Sequence, residues 1–186
     1  MKSVFTLSLC ALLTLCAISE AQEIGKVQEP EYDFVYQYLD QANGSLLALE
    51  RQTPSANFRT KFMGYGGAKS TYEVRGGKSP VRFKADQKIE LVVRGIPATL
   101  DPSTIIKLVR FDAKKDKREL VVGKVGALGL GGSSVSPDAG SLPINTTRYG
   151  SYSLRISPAE SLQPGEYGVI SSSQFFCFGI DPADKR

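Results

Sequence analysis

Histidine is missing from all 186 residues, and so is tryptophan. The first absence removes the Ser-His-Asp and Cys-His nucleophile systems, which need an imidazole able to take up and return a proton near neutral pH. It also removes the zinc sites that rely on imidazole ligands. Cysteine is almost as scarce. Cys10 and Cys16 fall in the apolar N-terminal stretch, which leaves Cys177 alone. One thiol makes neither an intramolecular disulfide nor an all-cysteine metal site. Cys177 stands in Phe175-Phe176-Cys177-Phe178, where an apolar surround raises a thiol's pKa and keeps it inert, so it reads as core. No Asp-x-Asp-x-Asp-Gly calcium loop is present. A strong excess of one charge is lacking as well: 23 basic residues against 19 acidic ones give a net +4, too mild for a dedicated nucleic-acid binder. These absences leave no catalytic, cofactor-binding or metal-binding residue to assign.

What is present begins with an address. Lys2 supplies a small positive region, Val4 to Ile18 is mostly apolar, and Ser19-Glu20-Ala21 offers the small-x-small pattern of a signal-peptidase site. The apolar run is shorter than a bilayer span, and no later stretch approaches one. Residues 1–21 are therefore expected to be a signal peptide, with Gln22 as the mature N-terminus. The destination is the periplasm or the extracellular space. Both early cysteines follow leucine, not the small residue that a bacterial lipid-anchoring site requires.

Beyond the leader the chain reads as short strands with turns between them. Tyr32, Phe34, Tyr36 and Tyr38 alternate with other residues at period two, which predicts a strand with one aromatic face. Asn43-Gly44 is hairpin chemistry, and Ser45 to Gln52 is its expected partner strand. Thr53 to Ser70, bearing proline, asparagine and glycine, reads as a connector. Strands are then expected at Tyr72–Val74, Val81–Ala85, Ile89–Val93, Thr104–Phe111, Glu119–Val125, Tyr152–Ile156, Glu166–Ile170 and Gln174–Ile180. The Gly/Ser-rich stretch Gly126 to Gly140 is expected to be a loop. Seven or so short strands with regular punctuation predict an all-β antiparallel sandwich. The expected division is 22–70 as an N-terminal β-hairpin extension with a Gly-rich connector, and 71–186 as the sandwich.

One segment sharpens this. Leu162-Gln163-Pro164-Gly165-Glu166-Tyr167 resembles the tyrosine corner of immunoglobulin-like and fibronectin-like domains. There a tyrosine early in a strand bonds back to upstream backbone. The resemblance covers six residues. It implies a Greek-key, immunoglobulin-like sandwich and transfers no activity.

Three constellations invite functional readings. Gly76-Gly77-Lys78-Ser79 approaches a phosphate-binding loop, but the earlier glycine that motif requires is replaced by Tyr72, and Pro80 precedes a strand-like run. It reads as a tight turn. Arg82, Lys84, Arg94 and Lys107 fall on polar sides of strands, while Lys114, Lys115, Lys117 and Arg118 crowd one turn. Aligned, such residues make a patch for an anionic glycan or head group; otherwise they are a solvated face that guards edges against aggregation. The aromatic stripe, Tyr36 and Tyr38 above all, either packs the hairpin onto the sandwich or is displayed to a sugar or a protein.

The expectation is an exported, non-catalytic binding or structural module of the envelope or extracellular space. Its partner would be a protein or glycan, and its candidate partner-binding residues are Tyr36, Tyr38, Arg82, Lys84, Arg94 and Lys107. The competing reading is a hydrolase of such polymers built on carboxylates or a Ser/Lys pair. The export reading has a direct check. The intact mass of the exported protein should correspond to a start near Gln22, with one thiol titratable after denaturation; a retained Cys10 or Cys16, or a lipid adduct, would refute it.

Overall fold

The computed structural model describes residues 27–60, 67–125, 133–135, 140–171 and 173–183. The strands are β1 (Gln37–Leu39), β2 (Leu46–Ala48), β3 (Glu50–Gln52), β4 (Ser55–Thr60), β5 (Ala68–Arg75), β6 (Arg82–Lys84) and β7 (Leu91–Arg94). They continue with β8 (Lys107–Ala113), β9 (Lys117–Val125), β10 (Ser133–Val135), β11 (Ser141–Leu142), β12 (Ile144–Tyr149), β13 (Ser153–Pro158), β14 (Gly165–Ser171) and β15 (Gln174–Asp181). Among the described residues there is one helical turn, α1 (Pro102–Ile105), which begins at Asp101, whose carboxylate accepts from the Ser103 N–H at 2.9 Å. Pro102 sits where no N–H donor is needed.

The fold is all-β and has two sheets. The smaller runs β12-β13-β7-β1-β2; the larger has ten strands, runs β3-β15-β14-β8-β9-β5-β4 with β6, β10 and β11 at its margins, and curls into a half-barrel. The described strands pair antiparallel apart from β6 beside β15 and a single bridge between Asp33 and Arg94. Between the sheets lies one core, with Tyr36, Tyr38, Leu91, Val93 and Ile156 facing Leu108, Tyr167, Val169, Phe176 and Phe178. A second, smaller core of Val74, Val109, Phe111, Leu120, Phe175 and Cys177 fills the opposite face of the larger sheet. Because β15 is covered on both faces, its residues are apolar without alternation. Cys177 is fully buried, and burial pushes its thiol up to about 12.

Several sequence expectations change in detail. The aromatic strand is shorter than its pattern predicts, since only Gln37–Leu39 is extended in a sheet and Phe34 has a left-handed φ of +60°. The hairpin across Asn43-Gly44 forms, with Leu39 opposite Leu46, and β1 also hydrogen-bonds to β7, so it is a strand of the smaller sheet. The expected return strand divides. β2 stays with β1, Leu49 is buried in the main core, and β3 joins β15 in the other sheet. The connector after Thr53 contains β4, which pairs along its whole length with β5. Part of the expected strand at Thr104 is instead α1, because Asp101-Pro102 caps a helical turn. Gly76 follows β5 in a bend, its N–H donating to the Asp116 carbonyl of the β8–β9 turn at 2.9 Å, and a strand rather than a helix comes next. Residues 1–21, and most of Gly126–Gly140, lie outside the described residues.

The tyrosine corner is formed. The Tyr167 hydroxyl donates to the Gln163 carbonyl at 2.6 Å, and its ring stacks on Phe178 with centroids 5.8 Å apart. Replacing Tyr167 with Phe keeps the ring and strands a carbonyl. The expected result is a loss of about 1 kcal/mol in urea denaturation; a variant as stable as the parent would show that the bond contributes nothing.

Candidate functional site

The residues singled out from sequence do not converge. Tyr36 and Tyr38 are 2% and 4% exposed and pack on Phe176 and Phe83. They belong to the core, and the Tyr38 hydroxyl takes a hydrogen bond from the Gln87 amide at 2.7 Å. Arg82 and Lys84 lie on β6 at the margin of the larger sheet, where Arg82 binds Glu166 and Asp181 and Lys84 is exposed. Lys107 opens β8 opposite Ile170 and is half-buried. Arg94 ends β7 in the other sheet. Nor does the charged turn form a basic patch as a whole. Arg118 is wholly buried, and Lys117 is engaged by Glu73 and Glu119 at 2.8 Å each.

Of the candidates, Arg94 is the one beside exposed aromatic residues. Its guanidinium lies 5.5 Å from the centroid of the Tyr152 ring, and its Nε is 3.4 Å from the Asp33 carboxylate. Tyr32, Phe34 and Tyr152 beside it are 65%, 46% and 70% exposed. The chain reaches this point by an unusual path. Asp33 bridges Arg94, the Phe34 N–H donates to the Arg94 carbonyl at 2.9 Å, and Phe34 then turns through its positive φ. A non-glycine residue held there costs roughly 1 kcal/mol or more. Gly95, itself at φ +85°, is required by the same approach, since a Cβ would collide with the Asp33 side chain. The strain breaks the period-two alternation, so the stripe splits: Tyr36 and Tyr38 point inward, while Tyr32 and Phe34 remain at the surface.

Glu29 fastens this segment to the β12–β13 turn. Its carboxylate accepts from the Ser151 N–H (2.7 Å), the Tyr152 N–H (2.9 Å) and the Ser153 hydroxyl (2.6 Å). Burial pushes this carboxyl up, but the three donors and the charge of Arg94 outweigh it and hold the group below its ordinary value. The contact explains a second departure. Tyr152 was expected to open the strand that runs to Ile156, yet it stays in the turn with its N–H bound to Glu29, and β13 starts one residue later.

Two concavities flank the far end of the smaller sheet, the smaller one beside Tyr149 and Arg155 and the larger one at the open end between the two sheets. One, of about 310 Å³, is lined by Leu39, Asp40, Lys88, Glu90, Tyr149 and Arg155. The other, of about 440 Å³, is lined by Asp86, Lys88, Asn145, Ser157 and Glu160 above an apolar floor of Ile89, Leu162 and Ile180. Lys88 belongs to both. Glu90 is buried and lies 2.6 Å from the Lys88 ammonium and 3.4 Å from Arg155. Sequence reasoning passed over these residues because isolated serines, asparagines and charges on strands carry no motif. The signals that were there are local: Gly95 directly after Arg94, and Tyr152 directly after the turn residues Gly150-Ser151.

No protein-family model, curated protein or solved structure matches this chain. Among the described residues no group of three or more carboxylates and thiols is placed to hold a metal ion, and no helix is long and apolar enough to cross a membrane.

Proposed function

We propose that this chain is an exported, non-catalytic binding module of the cell envelope or extracellular space, with its partner surface at the cluster of Tyr32, Asp33, Phe34, Arg94 and Tyr152. The observation that carries the reading is the display of three large aromatic side chains, Tyr32 and Phe34 on a strained segment whose backbone meets Arg94, and Tyr152 under the Arg94 guanidinium. Solvent-facing aromatics and arginine are the residues that supply most interface energy, and backbone strain concentrates at functional positions. The leader-like residues 1–21 support the destination. The immunoglobulin-like Greek-key assignment is supported by the corner tyrosine and by strand order. The run β12-β13-β7-β1 corresponds to D-E-B-A and β15-β14-β8-β9 to G-F-C-C′, with β2 to β6 inserted between the first two strands of that scheme.

The hydrolase alternative draws no support from the carboxylates. Glu29, Glu50, Asp101, Glu119 and Asp181 are all held below their ordinary values by hydrogen bonds and neighbouring cations. A general acid needs the opposite displacement.

The test is retention of the purified protein on the insoluble envelope or extracellular fraction of its source. Tyr152→Ala should weaken retention about tenfold, equivalent to about 1.4 kcal/mol, because an exposed aromatic anchor is lost. Its melting temperature should stay that of the parent, since the ring is 70% exposed. Undiminished retention by a folded Tyr152→Ala protein would move the partner surface elsewhere.

A further inference from the structure

We propose that the ligand is a linear, uncharged polysaccharide lying along the outer face of the smaller sheet, from the Tyr152–Arg94 stack at one end to the cleft around Lys88 at the other. The inference rests on the partner surface assigned above and extends it.

Register places residues of the two ends on the same side of the smaller sheet, with Ser153 between them buried. Tyr149 is opposite Ser153, which is opposite Arg94, so one row of side chains runs from β12 across β13 to β7 beside the exposed aromatic cluster. Four residues further along β12 and β13, Asn145 is opposite Ser157, and both line the larger cleft. Residues an even number apart on a strand share a face, so Tyr149 and Asn145 of β12, like Ser153 and Ser157 of β13, point the same way. Burial raises the pKa of the Tyr149 hydroxyl, and Glu29 and Glu90 add to the rise against Arg155. From Arg94 to Lys88 is six residues, roughly 20 Å at strand rise, which is room for about four sugar rings.

The chemistry of this track decides the ligand class. Its polar groups are hydroxyls, an amide and charges, of which Lys88, Glu90 and Arg155 are paired with one another, and these exchange hydrogen bonds with sugar hydroxyls at little desolvation cost. Tyr152 and Tyr32 supply flat apolar faces on which the C–H face of a ring can rest. The two concavities hold four carboxylates, Asp40, Asp86, Glu90 and Glu160, against two cations, Lys88 and Arg155. A polyanion is repelled by that balance. Arg94 at the aromatic end has Asp33 beside it and is not an open anion site.

The experiment is native gel electrophoresis through soluble neutral polymers (β-1,4-glucan, β-1,3-glucan, α-1,4-glucan, mannan and xylan), with heparin as the polyanion. Calorimetry then follows with oligosaccharides of two to six units of the linkage that retards the protein. Retardation by at least one neutral polymer is expected, with no response to heparin. Affinity should rise at least tenfold between two and four units. Tyr152→Ala and Asn145→Ala, both at exposed positions, should each weaken hexasaccharide binding at least fivefold with melting unchanged. Retardation by heparin alone or by no neutral polymer overturns the proposal. So does affinity that ignores chain length, or indifference to Asn145→Ala. If retention on the native fraction still depends on Tyr152 while no neutral polymer binds, the ligand class falls and the partner surface stands. If Tyr152→Ala affects neither assay, both fall.

Discussion

Arg118 sits inside the curl of the larger sheet with its side chain wholly out of solvent, and three acceptors from two separate stretches of chain converge on it. Its two terminal nitrogens reach the Glu50 carboxylate at 2.8 and 3.0 Å, one of them also donates to the Arg75 carbonyl at 2.8 Å, and Nε donates to the Gly76 carbonyl at 2.9 Å. Arg118 belongs to β9 and Glu50 to β3, and three strands, β15, β14 and β8, stand between them in the sheet order. In a flat sheet that separation is roughly 19 Å, four strand spacings. An arginine cannot span it. The ion pair and the curl therefore require each other, and the second core of Val109, Phe111, Phe175 and Cys177 is the apolar lining of the same curl.

The network continues outward. Glu166 on β14 lies 3.9 Å from Arg118, accepts from the Ser79 N–H at 2.8 Å and pairs with Arg82, which also holds Asp181 at 2.6 Å. Strands β3, β6, β9, β14 and β15 are thus joined by one chain of alternating charges. Burial raises the Glu50 carboxyl, but hydrogen bonds from Arg118, Gln52 and Ser79 overcome this and hold it below its ordinary 4.5. A depressed carboxylate contributes stability that is complete above its unfolded value and lost as pH falls through the folded one, so this joint weakens in acid. A second lattice lies on β4, β5 and β9. Glu73 and Glu119 stand directly opposite one another, which by itself would be repulsive, but Lys69, Lys117 and Arg59 surround them. Hydrogen bonds from Lys117 and Lys69 draw Glu119 down to about 2 against the opposing effect of burial.

The parts of this structure legible in the sequence are those where local chemistry and tertiary demand agree. Strands β7, β14 and β15, the turn at Asn43-Gly44 and the Tyr167 corner were readable because short apolar runs, turn residues and burial all point one way. Arg118 was not. Among Lys114, Lys115 and Lys117 it reads as one more solvated charge, and only the meeting of β3 with β9 across the curl reveals a buried partner. The aromatic stripe failed halfway for a similar reason. Period two predicts one face for Tyr32 to Tyr38, but the positive φ at Phe34, set by the approach of Asp33 to Gly95, turns the first half outward. The cluster so exposed draws on residues near positions 30, 94 and 152, a spacing that no local pattern encodes.

The most direct test of this account is the stability of the Arg118–Glu50 pair, measured by urea denaturation of Arg118→Met, Glu50→Met and the double variant. Removing one partner strands a buried charge, so Arg118→Met should lose roughly 3–5 kcal/mol. The double variant, which strands none, should lose clearly less than the sum of the two single losses. An Arg118→Met protein that unfolds at the parent's urea midpoint would contradict the claim that this ion pair holds the curl closed.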